Sequence, residues 1–357
     1  MEPIAMKHTR LRFIKRGDWP RFAVGVFITV LLLVIVYYGW RAIVVNAHPP
    51  IRLIVYAFST QEEVLSQGIL PAFEKAWEAQ TGRDLEIEAV FSPSGTLAGQ
   101  INLGAPADIA LFSNAHHVNW LKFGRMVRKE TQPSIIGYTP MVIVTRQGNP
   151  HDIYGYADLT QPNLRLLHAD PRSSGAGEWS LLAEYGSALL ETSEPDIAEA
   201  QLQAIWDNVR LLGPSARATL TLFELGAGDA VITYEQDARL AQERGVPLEI
   251  IMPPRIIIAQ HVAVVVDENI TRGERPVVQA FMDYLLSDAG QQILGRYHMR
   301  PVTDVYEGFP PMRQPFTVEN LGGWSRAYTE LVETFWREEI EPYLDPDPSP
   351  MLITPGE

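Results

Sequence analysis

The chain has 357 residues, which is too long for one compact core of ordinary size, so two domains or two lobes are expected. Its formal net charge of −14 argues against nucleic acid as a partner, because phosphate backbones are bound by a surplus of Lys and Arg. The absence of cysteine excludes disulfides, thiolate metal sites, a cysteine nucleophile and a lipid anchor on cysteine.

The charge is distributed unevenly along the chain. Residues 1–40 hold six Lys or Arg and two acids, whereas the remaining residues hold 23 Lys or Arg and 41 Asp or Glu. A basic leader before an acidic body is typical of a chain whose first residues stay in the cytoplasm. An acidic body that binds an anion must do so by local geometry, because its overall field is repulsive.

An apolar segment follows the basic leader. Residues 22–40, FAVGVFITVLLLVIVYYGW, contain no charge and match the length of about 20 residues that spans a hydrocarbon core. We therefore predict a basic cytoplasmic leader over 1–21 and a transmembrane anchor over 22–40. These make a single-pass protein of the cell membrane, with the body on the extracytoplasmic side, periplasmic or extracellular.

The alternative for this segment is a secretory signal cleaved after Val45-Asn46-Ala47. The apolar run exceeds the ~7–15 residues of a usual signal core, which favours the anchor. Both interpretations place the body outside the cytoplasm.

The body begins with strands that alternate with helices. Strands are predicted over 52–57, 85–91 and 107–112, with helices between them. The pattern restarts after a strand at 141–145, with further strands at 164–168, 209–212, 230–233 and 262–266. Helices are predicted from 177 to about 190, over 235–242 and, amphipathic, over 325–342. This rhythm predicts an α/β fold with parallel sheets covered on both faces.

The chain is expected to cross between two lobes near 138–146 and near 256–266. Lobe 1 would comprise 51–139 plus 262–343, lobe 2 would comprise 140–261, and a Pro-rich tail would occupy 344–357. Ligands of open α/β sheets bind in the crevice beyond the strand ends, so a pocket is expected between the lobes.

Four strand-to-helix turns carry small or hydroxyl residues where a helix begins. They are Phe58-Ser59-Thr60, Ser92-Pro93-Ser94-Gly95, Ser173-Ser174-Gly175-Ala176-Gly177 and Pro214-Ser215-Ala216. Each turn offers free backbone N–H groups at the positive end of a helix dipole. One such turn is more often an ordinary cap, but four of them after strands predict a site for a small oxyanion that needs no cation. The familiar hydrolase, metalloprotease and P-loop motifs are absent, so we predict no enzymatic activity, no cofactor and no metal.

Several segments resemble the sulfate- and thiosulfate-binding proteins of ABC importers, which are type II periplasmic binding proteins. They are DPRSSGAGEWSLLAEYG (170–186), NVRLLGPSARATLTLF (208–223), GAGDAVITYEQDARLA (226–241) and RPVTDVYEGFPPMRQPFTVENLGGW (300–324). The resemblance implies two α/β lobes joined by two hinge strands. It also implies capture of sulfate or thiosulfate for an ABC permease and its ATPase.

Carried over residue by residue, the resemblance implies a set of neutral donors. The hydroxyl donor falls on Ser94, and the N–H donors fall on Gly175, Ala176 and Ala216. The indole donor of the family falls on Tyr234, which donates through its hydroxyl instead.

The first lobe departs from that family. Phe58-Ser59 stands where the family has an Asp-Pro pair, and the segments 57–60 and 92–109 resemble molybdate-binding relatives, whose pockets use serine hydroxyls and a tyrosine. Ser59 therefore joins the predicted site. Sulfate is the predicted ligand. A molybdate- or tungstate-binding protein of an ABC importer and a membrane-tethered oxyanion sensor without transport are the alternatives.

The charged residues beside the turns are expected to brace the loops and first helical turns rather than to contact the ligand. A phosphate receptor should accept the proton of HPO₄²⁻ with a carboxylate, whereas sulfate has no proton to give. Glu178 and Glu235 are expected to stabilise first helical turns, and Arg217 to brace its loop. His116 and His117 are adjacent, do not match metal spacing, and are expected at the surface.

Overall fold

The N-terminal helix forms a unit of its own. The computed structural model describes residues 19–47, 50–305 and 307–344, and α1 (Trp19–Ala47) is the first element. Its Ala23–Arg41 stretch is exposed and is long and apolar enough to cross a membrane. The candidate cleavage site Val45-Asn46-Ala47 lies in the last turn of the same helix. Residues 1–18 of the predicted leader and 345–357 of the predicted tail lie outside the described residues.

The body, from Ile51 onward, is built on strands and helices that alternate as the sequence predicts. The strands are β1 (Ile51–Phe58), β2 (Leu85–Ser92), β3 (Ile109–Phe112), β4 (Ser134–Arg146), β5 (Leu166–Ala169), β6 (Val209–Gly213), β7 (Ala230–Tyr234), β8 (Leu248–Ile251), β9 (Arg255–Val265) and β10 (Gln314–Phe316). The α-helices are α2 (Glu62–Val64), α3 (Leu70–Thr81), α4 (Ser94–Asn102), α5 (His116–Phe123), α6 (Gly175–Thr192), α7 (Pro195–Trp206), α8 (Ala216–Glu224), α9 (Glu235–Glu243), α10 (Arg275–Leu286), α11 (Asp288–Arg296) and α12 (Gly323–Ala327).

The strands pair in the order β2-β1-β3-β9-β4-β7-β5-β6, with β10 beside β9 and β8 beside β4. β1 is parallel to β2 and β3, and β5 is parallel to β6 and β7. β1 is buried at every position except Arg52, because helices cover both of its faces and its Leu, Ile and Val side chains need no polar face. The sheet therefore has two parallel halves, each with its own strand-to-helix turns.

Two long antiparallel strands connect these halves. β4 pairs with β9 from Ser134 to Pro140 and with β7 from Met141 onward. β9 pairs with β10 at its start and with β3 at its end. The prediction of two hinge strands is confirmed, although both strands extend further than the predicted segments 141–145 and 262–266. The short strands β8 and β10 were not predicted, because three or four residues carry too weak a periodic signal.

The predicted amphipathic helix over 325–342 has a different winding. α12 leads into a π-helical stretch, Tyr328–Ile340, and a final turn, Glu341–Tyr343. Tyr328, Leu331, Val332, Trp336 and Ile340 are buried in this stretch, so the predicted apolar face is present although the winding differs.

This C-terminal segment contacts both halves of the sheet. Tyr328 stacks on His116, which follows β3, with 3.9 Å between ring centroids. Trp336 packs edge to face on Trp206 of α7 at 5.6 Å. The segment 323–343 therefore does not pack on lobe 1 alone, to which the sequence prediction assigned it.

Candidate functional site

A small cavity lies between the two halves of the sheet, at the carboxyl ends of their parallel strands. The empty space between its lining residues amounts to about 180 Å³. Its lining consists of Phe58, Ser59, Thr60, Pro93, Ser94, Ser113, Ser174, Gly175, Ala176, Ser215, Ala216 and Tyr234. These residues carry no formal charge, so the cavity suits one small ion held by neutral groups.

A larger depression of about 480 Å³ lies elsewhere, between α7 and the C-terminal segment. It is lined by Trp206, Arg210 and Tyr343 among others, and no α-helix begins at a lining residue in the part of the chain that the structure describes. We assign function to the smaller cavity because residues of all four predicted strand-to-helix turns line it, whereas none of them lines the depression.

Several helical segments begin at the cavity. A 3₁₀ turn begins at Ser59, α4 at Ser94, α6 at Gly175 and α8 at Ala216, each shortly after a strand ends. A further helix, α9, begins directly after Tyr234. The four predicted turns are thus brought together with the end of β7. All six predicted site residues line this one cavity: Ser59, Ser94, Gly175, Ala176, Ala216 and Tyr234.

The starts of α6 and α8 present backbone N–H groups to the cavity. Among the described residues, the N–H groups of Gly175 and Ala216 have no acceptor within the chain. The N–H of Ala176 donates to the N-cap hydroxyl of Ser174 at 3.3 Å. The hydroxyl of Ser215 caps α8 by accepting from Ala218 N–H at 3.1 Å. The two caps satisfy one donor each and leave others for an anion.

Ser94 is held by two neighbours on its own side of the cavity. Its Oγ accepts from the N–H of Ser113 at 3.1 Å and lies 3.0 Å from Nδ1 of His117. The side chain is buried, at 2% exposure. The direction of its hydroxyl hydrogen therefore depends on whether Nδ1 of His117 accepts or donates.

Two buried hydroxyls in the lining have no hydrogen-bond partner. Among the described residues, neither Ser113 Oγ nor the Tyr234 hydroxyl is paired, although both residues are only 1% exposed. The two lie close enough to interact but not in good hydrogen-bond geometry. Burial raises the pKa of Tyr234 well above its ordinary value, so this hydroxyl stays a neutral donor. Unpaired buried polar groups are rare in proteins, and a ligand that accepts from them would satisfy both.

Ser113 was not among the predicted site residues. It follows β3 directly, as Ser59 follows β1, but the next helix begins only at His116. The signal that could have found it is a hydroxyl residue immediately after a strand, without requiring a helix start there.

Bonds across the cleft close the cavity. The N–H of Gly95 donates to the carbonyl of Ser173 at 3.0 Å, and Nε1 of Trp179 donates to the carbonyl of Ser113 at 2.9 Å. The hydroxyl of Thr60 donates to Asp237 at 2.7 Å. The structure therefore shows the two halves of the sheet in contact around an enclosed site.

The charged groups nearby pair with one another outside the cavity. Arg217 lies 3.4 Å from Glu63 and 3.3 Å from Asp237, in keeping with a bracing role. Burial raises the pKa of Asp237, and Arg217 opposes that rise. Glu235 is buried and forms 2.8 Å ion pairs with Arg239 and Arg300. Among the described residues, no cluster of His, Asp and Glu is arranged to hold a metal ion.

The expectation of surface positions for the adjacent histidines was wrong. His117 is 1% exposed and lies 3.3 Å from Oε1 of Glu178, which is equally buried. His116 is half-buried, and its Nε2 accepts from the indole of Trp120 at 3.0 Å. Their side chains do point in different directions, but α5 is covered on both of those sides by α6 and the C-terminal segment.

Comparisons with known proteins identify the family. Residues 54–300 match the model of the bacterial extracellular solute-binding protein family. The chain is 32% identical over 296 residues to a sulfate-binding protein of Escherichia coli K12, covering 78% of this chain and 89% of that protein. It is 26% identical over 253 residues to the molybdate-binding protein ModA of Haemophilus influenzae, covering 69% and 89% of the two chains.

A solved structure shares the fold. The sulfate-binding protein SubI of Mycobacterium tuberculosis superimposes with a TM-score of 0.72 at 24% identity, over 79% of this chain and 99% of that one. The likeness confirms the predicted two-lobed α/β fold of periplasmic binding proteins. The family match confirms that the protein binds a solute rather than acting as an enzyme. The chain belongs to the bacterial extracellular solute-binding protein family.

Proposed function

We propose that the protein captures sulfate, or the similar thiosulfate, outside the cytoplasm and delivers it to an ABC permease and its ATPase. The observation that carries this proposal is an enclosed, uncharged cavity that combines helix starts with buried hydroxyls lacking partners. Such a site stabilises an anion by fixed dipoles, so the acidic body needs no cation there. The proposed donors are the N–H groups of Gly175 and Ala216 and the hydroxyls of Ser59, Ser94, Ser113 and Tyr234. The N–H of Ala176 would join them only by leaving its 3.3 Å bond to the hydroxyl of Ser174.

The lining favours sulfate over phosphate. Hydrogen phosphate carries a proton that needs an acceptor, and the cavity lining contains no carboxylate. Glu178 is engaged by Asn114 and Glu235 by Arg300, both outside the lining, and Asp237 accepts from the hydroxyl of Thr60, which itself lines the cavity. A phosphate O–H that points at a ring of donors finds no acceptor, and the protein donor opposite it finds no lone pair. Both groups stay unsatisfied, which lowers the affinity for phosphate.

Molybdate or tungstate is the second candidate ligand. The hydroxyls of Ser59, Ser94, Ser113 and Tyr234 make the cavity richer in hydroxyls than the predicted sulfate pattern requires. The molybdate-binding relative supports this alternative, at lower identity than the sulfate-binding one.

The mechanism we propose is closure of two lobes around the anion. The lobes would be 51–139 with 262–343 and 140–261, with the C-terminal segment 323–343 of the first lobe also contacting α7 of the second. The ligand would bridge hydroxyls of the first lobe and helix starts of the second, which stabilises the closed state over the open one. A sensor that signals through the same closure, without transport, would bind the same ligand.

We further propose that α1 anchors the protein in the membrane as a single span. Its exposed apolar stretch supports the span, and the basic leader supports an outward-facing body. The intact mass of the protein from the membrane fraction tests this proposal. A mass lacking residues 1–47 would show a cleaved signal instead.

Titration calorimetry on the full chain in a non-ionic detergent tests the ligand. Sulfate, thiosulfate, molybdate, tungstate and phosphate are titrated separately into sulfate-free protein. We expect sulfate to bind at least about tenfold more tightly than phosphate, a difference of about 1.4 kcal/mol. Tighter binding of molybdate would select the second candidate, and no binding of any oxyanion would overturn the proposal. Sulfate uptake into vesicles with the permease and ATPase then separates transport from sensing.

A further inference from the structure

We propose that His117 is a positioning residue that couples oxyanion binding to the uptake of one proton. When the anion is bound, the imidazole carries the extra proton and turns the hydroxyl hydrogen of Ser94 into the cavity. This inference rests on the proposed function and adds a regulation that a site made only of fixed dipoles lacks.

The hydroxyl of Ser94 has two neighbours, and the second of them decides where its hydrogen points. The N–H of Ser113 can only donate, so Ser94 Oγ accepts that bond. The direction of the second bond, to Nδ1 of His117, depends on the imidazole. An unprotonated Nδ1 accepts the hydroxyl hydrogen and removes it from the cavity. A protonated Nδ1 donates to Oγ and leaves the hydroxyl hydrogen free for the ligand.

The other ring nitrogen of His117, Nε2, faces the carboxylate of Glu178. Nε2 of His117 lies 3.3 Å from Oε1 of Glu178, an ion-pair contact rather than a hydrogen bond, and both side chains are 1% exposed. An ionised carboxylate can only accept, so Nε2 is expected to carry a hydrogen. Asn114 holds the Glu178 carboxylate, because its side-chain amide donates to Oε2 of Glu178 at 2.6 Å, and its oxygen accepts from the backbone N–H of His117 at 3.2 Å. A neutral imidazole in this position therefore has Nε2–H and an unprotonated Nδ1.

An arriving sulfate needs a hydrogen-bond donor and is repelled by the nearby carboxylate. Sulfate carries no hydrogen, so Ser94 must donate to it. Glu178 lies in the first turn of α6, whose N-terminal end faces the cavity, so its charge repels a dianion. A proton on Nδ1 of His117 solves both problems, because it frees the Ser94 hydrogen and pairs the Glu178 carboxylate with a cation. The proton comes from solvent, and no covalent bond other than N–H is formed.

The neighbouring histidine on α5 does not compete for this role. Nε2 of His116 accepts the indole hydrogen of Trp120 at 3.0 Å, so protonation there would break the bond. Burial lowers the pKa of His116 to about 4, and Glu178 only partly offsets that effect. On its other side His116 stacks on Tyr328, whose pKa burial raises to about 12. His116 and Tyr328 thus both stay neutral between about pH 5.5 and about pH 8.5.

His261 also stays neutral. Its Nδ1 donates to the carbonyl of Ser113 at 3.1 Å, and burial lowers its pKa to about 4. No ion pair involves His261 among the described residues. The charged and titratable groups beside His117 are therefore Glu178 from α6 and His116 from its own helix, and Tyr328 of the C-terminal segment lies behind His116.

Calorimetry in buffers of different ionisation enthalpy tests the coupling. Sulfate is titrated into the full chain in non-ionic detergent at several values between about pH 5.5 and about pH 8.5, and the slope against buffer enthalpy gives the protons taken up. We expect up to one proton per sulfate, with the dissociation constant rising by at most about tenfold per pH unit. H117Q should bind more weakly, without proton uptake and with a flat pH profile. H116Q, the matched control, should keep the proton uptake of the wild type.

Each outcome of these titrations supports or overturns either the proton coupling or the proposed function. Sulfate binding by the wild type without proton uptake at any of these pH values overturns the coupling but leaves the proposed function intact. A folded H117Q that takes up as many protons as the wild type overturns it too. If H117Q fails to fold by circular dichroism, E178Q replaces it and must lower the uptake, because the imidazolium loses its counter-charge. A wild type that binds no oxyanion overturns the proposed function itself.

Discussion

Gly175 lies directly against Ser113 across the closed cleft. A Cβ atom at position 175 would collide with Oγ of Ser113 and lie 2.9 Å from Nδ2 of Asn114. Gly175 begins α6, which follows β5 in one half of the sheet, and Ser113 directly follows β3 in the other half. A side chain at position 175 is therefore incompatible with the closed cavity, although a helix start tolerates alanine.

Replacing Gly175 with alanine should impair closure without unfolding the protein. The added methyl group overpacks the contact with Ser113, a change that costs about 1–3 kcal/mol. We expect sulfate affinity to fall by roughly 5- to 150-fold in calorimetry, and the radius of gyration with sulfate to stay larger than in the wild type.

Gly99→Ala is the matched control for this substitution. Gly99 lies inside α4 with nothing within 4 Å of an added Cβ. Its replacement should leave affinity unchanged and raise stability by about 0.5–1 kcal/mol, because alanine loses less backbone freedom on folding. Wild-type affinity in Gly175→Ala would show that the site binds sulfate without the closure described above.

Removing the hydroxyl of Tyr234 should separate stability from binding. This hydroxyl is buried and unpaired among the described residues, so Tyr234→Phe removes no hydrogen bond from the ligand-free protein. We expect thermal unfolding without ligand to be unchanged or slightly higher. Sulfate affinity should fall by about 1–3 kcal/mol, the value of a hydrogen bond to a charged group. Differential scanning calorimetry and titration calorimetry measure the two quantities.

Tyr156→Phe should behave in the opposite way. Tyr156 is equally buried, but its hydroxyl donates to the carbonyl of Met141 at 2.8 Å, away from the cavity. Its loss should lower stability by about 1 kcal/mol and leave sulfate affinity unchanged. If Tyr234→Phe instead destabilised the ligand-free protein as Tyr156→Phe does, the Tyr234 hydroxyl would be structural.

Ser94→Ala should weaken sulfate binding by about 1–3 kcal/mol, through the loss of a charge-assisted hydrogen bond. The substitution also leaves the N–H of Ser113 without its acceptor, so a moderate loss of stability is expected as well. Affinity and unfolding are therefore measured together, with the exposed Ser66→Ala as the control for a neutral serine. Unchanged affinity in calorimetry would remove Ser94 from the site.

The sequence by itself determined the fold class and most of the cavity lining. Strands, helices and the turns between them depend on residues close in the chain, such as Ser94 at the start of α4 or Ser215 capping α8. Because parallel strands end at the same edge of a sheet, turns recognised one by one could be expected to meet. The two crossings near 138–146 and 256–266 were placed correctly, but the strands predicted there, 141–145 and 262–266, were too short, since the ends of β4 and β9 are defined by pairing with distant strands.

Only the tertiary structure decided which polar groups are free and which are paired. The contacts of Ser113 with Gly175 and of His117 with Glu178 join residues about 60 positions apart, which no local pattern reports. Burial follows from the same long-range packing, and so the adjacent histidines 116 and 117 could not be distinguished by sequence. The helix starts, a local property, predict that an anion can bind here. The direction of the Ser94 hydroxyl depends on Ser113 and His117, which only folding brings to it.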